Sequence, residues 1–157
     1  MAADDSFDLV LEREVPCSVD HLWRGWTDAE MLKKWFTPAP WLTVEAEIDL
    51  RPGGIFRTVM QGPNGESGGG VGCVLIVEPL VRFAWTSALE PDFRPVVAPA
   101  DGFLFTAVIE LASRPNGALY RATARHATLE DARTHAEMGF HAGWGAALDQ
   151  LVALSGS

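Results

Sequence analysis

The amino-acid sequence predicts an α+β protein in which a curved antiparallel sheet wraps around a long C-terminal helix. Three observations predict it. Several segments alternate apolar and polar side chains, the period of a strand with one wet face. After the first such segment the period changes to that of two short helices, and at the C-terminus it changes once more to a long amphipathic helix. A sheet with one apolar face must bury it, and the final helix is the element available to cover it.

Phe7 to Val15 sets Phe7, Leu9, Leu11 and Arg13 against Asp8, Val10, Glu12 and Glu14, and Pro16 closes this first strand. Ser18 is placed to cap a helix whose stripe is Val19, Leu22, Trp23 and Trp26. A second short helix runs from Ala29 to Phe36, with Met31, Leu32, Trp35 and Phe36 apolar and Lys33-Lys34 left for solvent, and Pro38-Ala39-Pro40 ends it. From Leu42 to Leu50 the alternation is strict, with Leu42, Val44, Ala46, Ile48 and Leu50 on one side. Arg51-Pro52-Gly53-Gly54 is a turn into a strand that places Phe56, Thr58 and Met60 on one face.

Gly62-Pro63-Asn64-Gly65 and the run Gly68-Gly69-Gly70 read as hairpin turns. Two strands follow, over about 70–77 and 80–87, joined at Glu78-Pro79, and the second aligns Val81, Phe83 and Trp85. The proline-rich stretch from Leu89 to Asp101 has the length of a lid or binding loop, or of a plain connection. Phe103, Phe105, Ala107, Ile109 and Leu111 line the next strand, and Pro115-Asn116-Gly117 turns the chain into Ala118 to Ala127. Met138, Phe140, Trp144, Leu148, Leu151 and Leu154 then recur at three- and four-residue steps, which predicts one long helix from about Asp131 onward.

The 157 residues suit a single domain, read as 7–155, behind a short disordered tail at 1–6. A net charge of −9 and no Lys/Arg-rich run argue against nucleic acid and anionic lipid surfaces as partners. No apolar run approaches membrane-spanning length, and the acidic N-terminus lacks the parts of a secretory signal, so a cytoplasmic location is expected. Cys17 and Cys73 stand far apart without a CxxC or a Cys/His cluster, which favours reduced thiols. His135 and His141 do not form HExxH, and no Walker or G-x-S-x-G pattern is present; neither a metal nor another cofactor is expected.

Four stretches in order resemble the family named for the activator of the heat-shock-protein-90 ATPase. They are Trp26-Thr27-Asp28-Ala29-Glu30 through Lys34-Trp35-Phe36, Asp49-Leu50-Arg51-Pro52-Gly53-Gly54-Ile55-Phe56, Val77-Glu78-Pro79-Leu80, and Gly143-Trp144-Gly145-Ala146-Ala147-Leu148-Asp149-Gln150-Leu151. Ala29 departs from the pattern, which usually has proline there. The resemblance implies the START-like (SRPBCC, Bet v 1-like) helix-grip fold shared with polyketide cyclases and lipid-transfer domains. It implies function far less, because that fold hosts unrelated activities.

Such a fold has a cavity, and the ring-rich faces nominate its lining: Trp35, Phe36, Trp41, Phe56, Thr58, Met60, Phe83, Trp85, Phe103 and Phe105. Trp23, Trp26 and Trp144 read first as core rings, with Trp144 kept among the cavity candidates as well. On the last strand the parity of Tyr120, Ala122, Ala124 and His126 faces inward, because Arg121, Thr123 and Arg125 prefer water. His126 then lies at the end of the hollow, either orienting a ligand as acid or base, or simply hydrogen-bonded at a strand end. His141 is a further polar candidate, with Glu137 four residues before it.

The leading expectation is a protein that binds a hydrophobic or aromatic small molecule, not an enzyme. A cyclase, dehydratase or hydrolase working through His126 and His141 is the alternative, with no inward carboxylate pair to assist it. The resemblance also implies a third reading, a stress-related co-chaperone stimulating a heat-shock protein 90 type ATPase. Unpaired strand edges would permit a homodimer.

Overall fold

The computed structural model describes residues 7–97, 99–100 and 102–155; the tail expected at 1–6 lies outside the described residues, as do Ala98 and Asp101 of the proline-rich loop. Strand β1 (Asp8–Val15) leads into helices α1 (Val19–Thr27) and α2 (Ala29–Trp35). Ser18 Oγ accepts the His21 N–H and starts α1. Asp28 ends α1 and begins α2, its carboxylate accepting from the N–H groups of Glu30 and Met31. That aspartate does the capping, so α2 begins at Ala29 without the family's usual proline.

Strands β2 (Leu42–Ile48), β3 (Ile55–Gln61), β4 (Ser67–Glu78) and β5 (Arg82–Thr86) follow as consecutive hairpins. A short ribbon, β6 (Leu89–Glu90) with β7 (Arg94–Pro95), occupies the first half of the proline-rich loop. Then come β8 (Phe105–Arg114), β9 (Gly117–His126), α3 (Leu129–Glu137) and α4 (Phe140–Leu154). The main sheet has the order β1-β9-β8-β5-β4-β3-β2, antiparallel throughout. The two short helices therefore carry the chain from one edge strand to the other, and the hairpins bring it back until β9 pairs with β1.

The inner face of the sheet buries Phe56, Val74, Phe83, Ala107, Ile109 and Tyr120, and α4 adds Leu148 and Leu151, both fully buried. Each such large side chain contributes about 1.5–3 kcal/mol relative to exposure. The opposite face carries cross-strand ion pairs, Arg57 with Glu45, Arg121 with Glu12 and Arg125 with Asp8. The parity expected for β9 holds at Tyr120, Ala122, Ala124 and His126, all buried, with Arg121 and Arg125 exposed; Thr123 is buried, against expectation.

Several boundaries differ from the periodicity. The apolar side of β2 does not run unbroken, because a bulge between Thr43 and Glu45 shifts the register. Thr43 is buried while Leu42 and Val44 face solvent, and only Ala46 and Ile48 pack against the core. The run Gly68-Gly69-Gly70 is not a turn: it belongs to β4 and pairs with Met60, Val59 and Thr58. The C-terminal helix is two helices. Gly139 takes φ +96°, a left-handed conformation that ends α3 and lets α4 set off in a new direction. Apolar spacing runs on across this break, yet Met138 beside it is 72% exposed.

Candidate functional site

Between α2, α4, the end of α3 and strands β3 to β5 lies a cavity of about 460 Å³. Rings dominate its wall: Trp26, Trp35 and Phe36 from the first helices, Phe56 and Trp85 from the sheet, Phe103 and Phe105 ahead of and on β8, and Phe140 and Trp144 from α4. Gly69, Gly70 and Val71 on β4 and Met138 beside α3 also belong to the wall and are exposed, so they mark its open side. Polar groups are few: Thr37, Thr58, Ser87, Tyr120 and His135. No Asp, Glu, Lys or Arg lines it.

The rings pack as a network. Phe56 and Trp85 stack with centroids 4.5 Å apart and planes 12° from parallel. Trp26 meets Trp35 edge-on at 5.0 Å and Phe36 at 5.7 Å. Its indole N–H donates to Tyr120 Oη over 3.0 Å in a fully buried bond. Burial pushes the Tyr120 hydroxyl's pKa up, so it stays a neutral acceptor. Trp35 donates its indole N–H to the Gly25 carbonyl at 2.9 Å. Trp85 Nε1 is buried without a hydrogen-bond partner, alone in that respect among the described residues.

Of the residues nominated from the sequence, Trp35, Phe36, Phe56, Thr58, Met60, Trp85, Phe103, Phe105 and Trp144 stand in the wall. Four do not. Trp41 lies outside against the β3–β4 hairpin, where a Cβ on Gly62 would sit 2.9 Å from its ring. Phe83 shares its strand face with Trp85 but lies deeper, covered by Trp23 and Trp26 at 6.2 and 6.1 Å. His126 is screened from the cavity by His135, and His141 is on the solvent side of α4, with Nε2 3.1 Å from the Val10 carbonyl. Ala122 and Ala124 face inward but belong to the packed core.

Sequence reasoning missed Trp26, Tyr120, His135 and Phe140. Tyr120 had the right parity and Trp26 the right helical stripe. His135 had no linear signal, because it reaches the wall only where α3 packs against α4 and the end of β9. It is 8% exposed, and its Nδ1 is 2.9 Å from His126 Nε2, whose Nδ1 is in turn 2.7 Å from the Phe7 carbonyl oxygen. Burial first, and the neighbouring His126 second, lower the His135 pKa to about 4, so the ring is neutral at pH 7.

Among the described residues no group of three His, Cys, Asp or Glu side chains could hold a metal ion. Cys17 and Cys73 are free and buried, and burial raises the Cys17 thiol pKa.

Sheet, helices and ring-lined hollow together define a START-like, helix-grip domain. Residues 16–156 match the family described as Activator of Hsp90 ATPase homolog 1-like protein, and the chain belongs to that family. It is similar to the crystal structure of protein NE0264 from Nitrosomonas europaea, with 45% identity over 98% of this chain and 96% of that one and a TM-score of 0.90. Protein Ms6760 from Mycobacterium smegmatis shares 25% identity over 98% and 94% of the two chains, with a TM-score of 0.79. An AHSA1-like protein from Aeromonas hydrophila, 21% identical over 93% and 90% with a TM-score of 0.67, is alike in fold. No curated protein matches the chain.

Proposed function

We propose that this protein is a binding protein, a single START-like domain over 7–155, which holds a hydrophobic or aromatic small molecule in the cavity between α4 and the sheet. One observation carries the reading: a ring-lined hollow of about 460 Å³ without a charged side chain in its wall. Small-molecule sites run from about 300 to 1,000 Å³ and are mostly apolar with a few placed polar groups. Two buried free thiols, and the lack of any helix among the described residues long and apolar enough to cross a membrane, accord with the cytoplasmic location that belongs to this proposal.

An enzyme reading has less to work with, since the wall offers no carboxylate and His135 is its only titratable group besides Tyr120. The family's description refers to a chaperone ATPase, and nothing in the cavity bears on that role. Binding is tested with pyrene as a fluorescent apolar probe, alongside thermal denaturation. At a hundredfold excess over Kd a ligand adds about 2.7 kcal/mol, or about 5–11 °C in Tm for a protein of this size. Unchanged pyrene emission together with an unchanged Tm, for pyrene and for fatty-acid and steroid probes alike, would refute the proposal.

A further inference from the structure

Hydrogen-bond chemistry, followed outward from a backbone carbonyl, determines which atom His135 offers to the cavity. The Phe7 carbonyl oxygen can only accept, so His126 Nδ1 carries the proton of their 2.7 Å bond. A His126 ring with that single proton has a bare lone pair on Nε2, which accepts the proton on His135 Nδ1 at 2.9 Å. A neutral His135 has no second proton. Its Nε2 is left as an acceptor without a hydrogen bond within the protein and, unlike the enclosed Trp85 Nε1, is accessible from the cavity that His135 lines, on a residue only 8% exposed.

Around that imidazole stand Phe103 and Phe105, each with centroids at 4.9 Å, Phe140 at 5.2 Å and Trp144 at 6.2 Å. We propose that His135 Nε2 is the polar anchor of the site, accepting a hydrogen bond from the hydroxyl of a phenol-like, polycyclic aromatic ligand whose rings pack against Phe103, Phe105 and Trp144. The proposal rests on the cavity being a ligand site, and it names the ligand's chemical class.

The surroundings select for this chemistry. A carboxylate or phosphate would find no cation in the wall, and a plain hydrocarbon would leave the lone pair unsatisfied. An ether or ketone has no proton to give His135 Nε2. The depressed His135 pKa keeps the ring in its accepting form at neutral pH. His126 is a positioning residue: its bond to the Phe7 carbonyl dictates which His135 nitrogen carries the proton.

The test compares three fluorescent probes of one shape, pyrene, 1-hydroxypyrene and 1-methoxypyrene, at pH 7. A hydrogen bond of about 1 kcal/mol makes the hydroxyl compound bind about fivefold more tightly than the methoxy compound. His135→Phe removes that preference, read as the affinity ratio of the two oxygenated probes within the variant, and ¹⁵N spectra of histidine-labelled native protein show His135 protonated on Nδ1, with Nε2 shifted by 1-hydroxypyrene alone. Equal binding of the two oxygenated probes by the native protein, or an Nε2-protonated His135, overturns the inference while leaving the binding function standing. Failure of all three pyrene probes to bind overturns this anchor, and failure of the fatty-acid and steroid probes as well removes the binding function with it.

Discussion

Gly143 separates a hollow interior from a filled one. It occupies the first turn of α4 and lines the cavity, and a Cβ built on it meets no heavy atom within 4 Å. Gly143→Ala therefore removes the backbone-entropy cost of a helical glycine, about 0.8–1 kcal/mol, without a clash. For a domain of this length that corresponds to a rise in Tm of about 2–4 °C. Gly143→Leu gains the same helix propensity and places an isobutyl group in the hollow. It is expected to melt no lower than the alanine variant and to bind pyrene at least about tenfold more weakly, since overlap with a ligand costs more than the about 1.4 kcal/mol that a factor of ten represents. Calorimetric melts of the three proteins, each with and without pyrene, measure both quantities. A lower Tm for the alanine variant would show that the space beside Gly143 is occupied, and unchanged pyrene affinity in the leucine variant would show that the ligand sits elsewhere.

Three further outcomes follow from buried contacts. Tyr120→Phe leaves the Trp26 indole N–H without its acceptor in an apolar interior, so urea unfolding should show a loss of about 1–3 kcal/mol with an unchanged m-value. Gly54→Ala would set a Cβ 2.0 Å from the Asp49 backbone oxygen, and since backbone must move, a loss above about 2 kcal/mol is expected in the same assay. The His135 pKa of about 4 lies below the ordinary 6.5, so between those values the unfolded chain binds a proton that the folded protein refuses. Stability from this group is complete above about pH 6.5 and falls as pH drops toward 4, by up to about 3 kcal/mol; the difference in unfolding free energy between native protein and His135→Phe should shrink over that window, and a flat difference would refute it.

Legibility of the site followed the range of the interactions that built it. Phe56, Thr58 and Met60 were readable because strand alternation puts them on one face, and all three reach the cavity. The same rule paired Phe83 with Trp85, yet the two differ in depth: α1 lays Trp23 and Trp26 over Phe83, and which strand residues a helix covers depends on a docking position that alternation does not encode. Trp41 follows a similar logic, its ring taken by the neighbouring hairpin glycines.

What the sequence by itself determined is the order and type of the elements, the inward parity of most strands, and, through four motifs in order, the family. Those features rest on local periodicity, capping and turn chemistry, which act over a few residues. The bulge in β2, the helix break at Gly139 and the meeting of His126 with His135 were settled only by tertiary structure. Each is a choice among locally acceptable conformations, decided by which one lets distant surfaces close on each other. The chemical character of the cavity, a neutral imidazole acceptor among aromatic rings, belongs to that second group, because it arises where a helix end, a strand end and the Phe7 carbonyl come together.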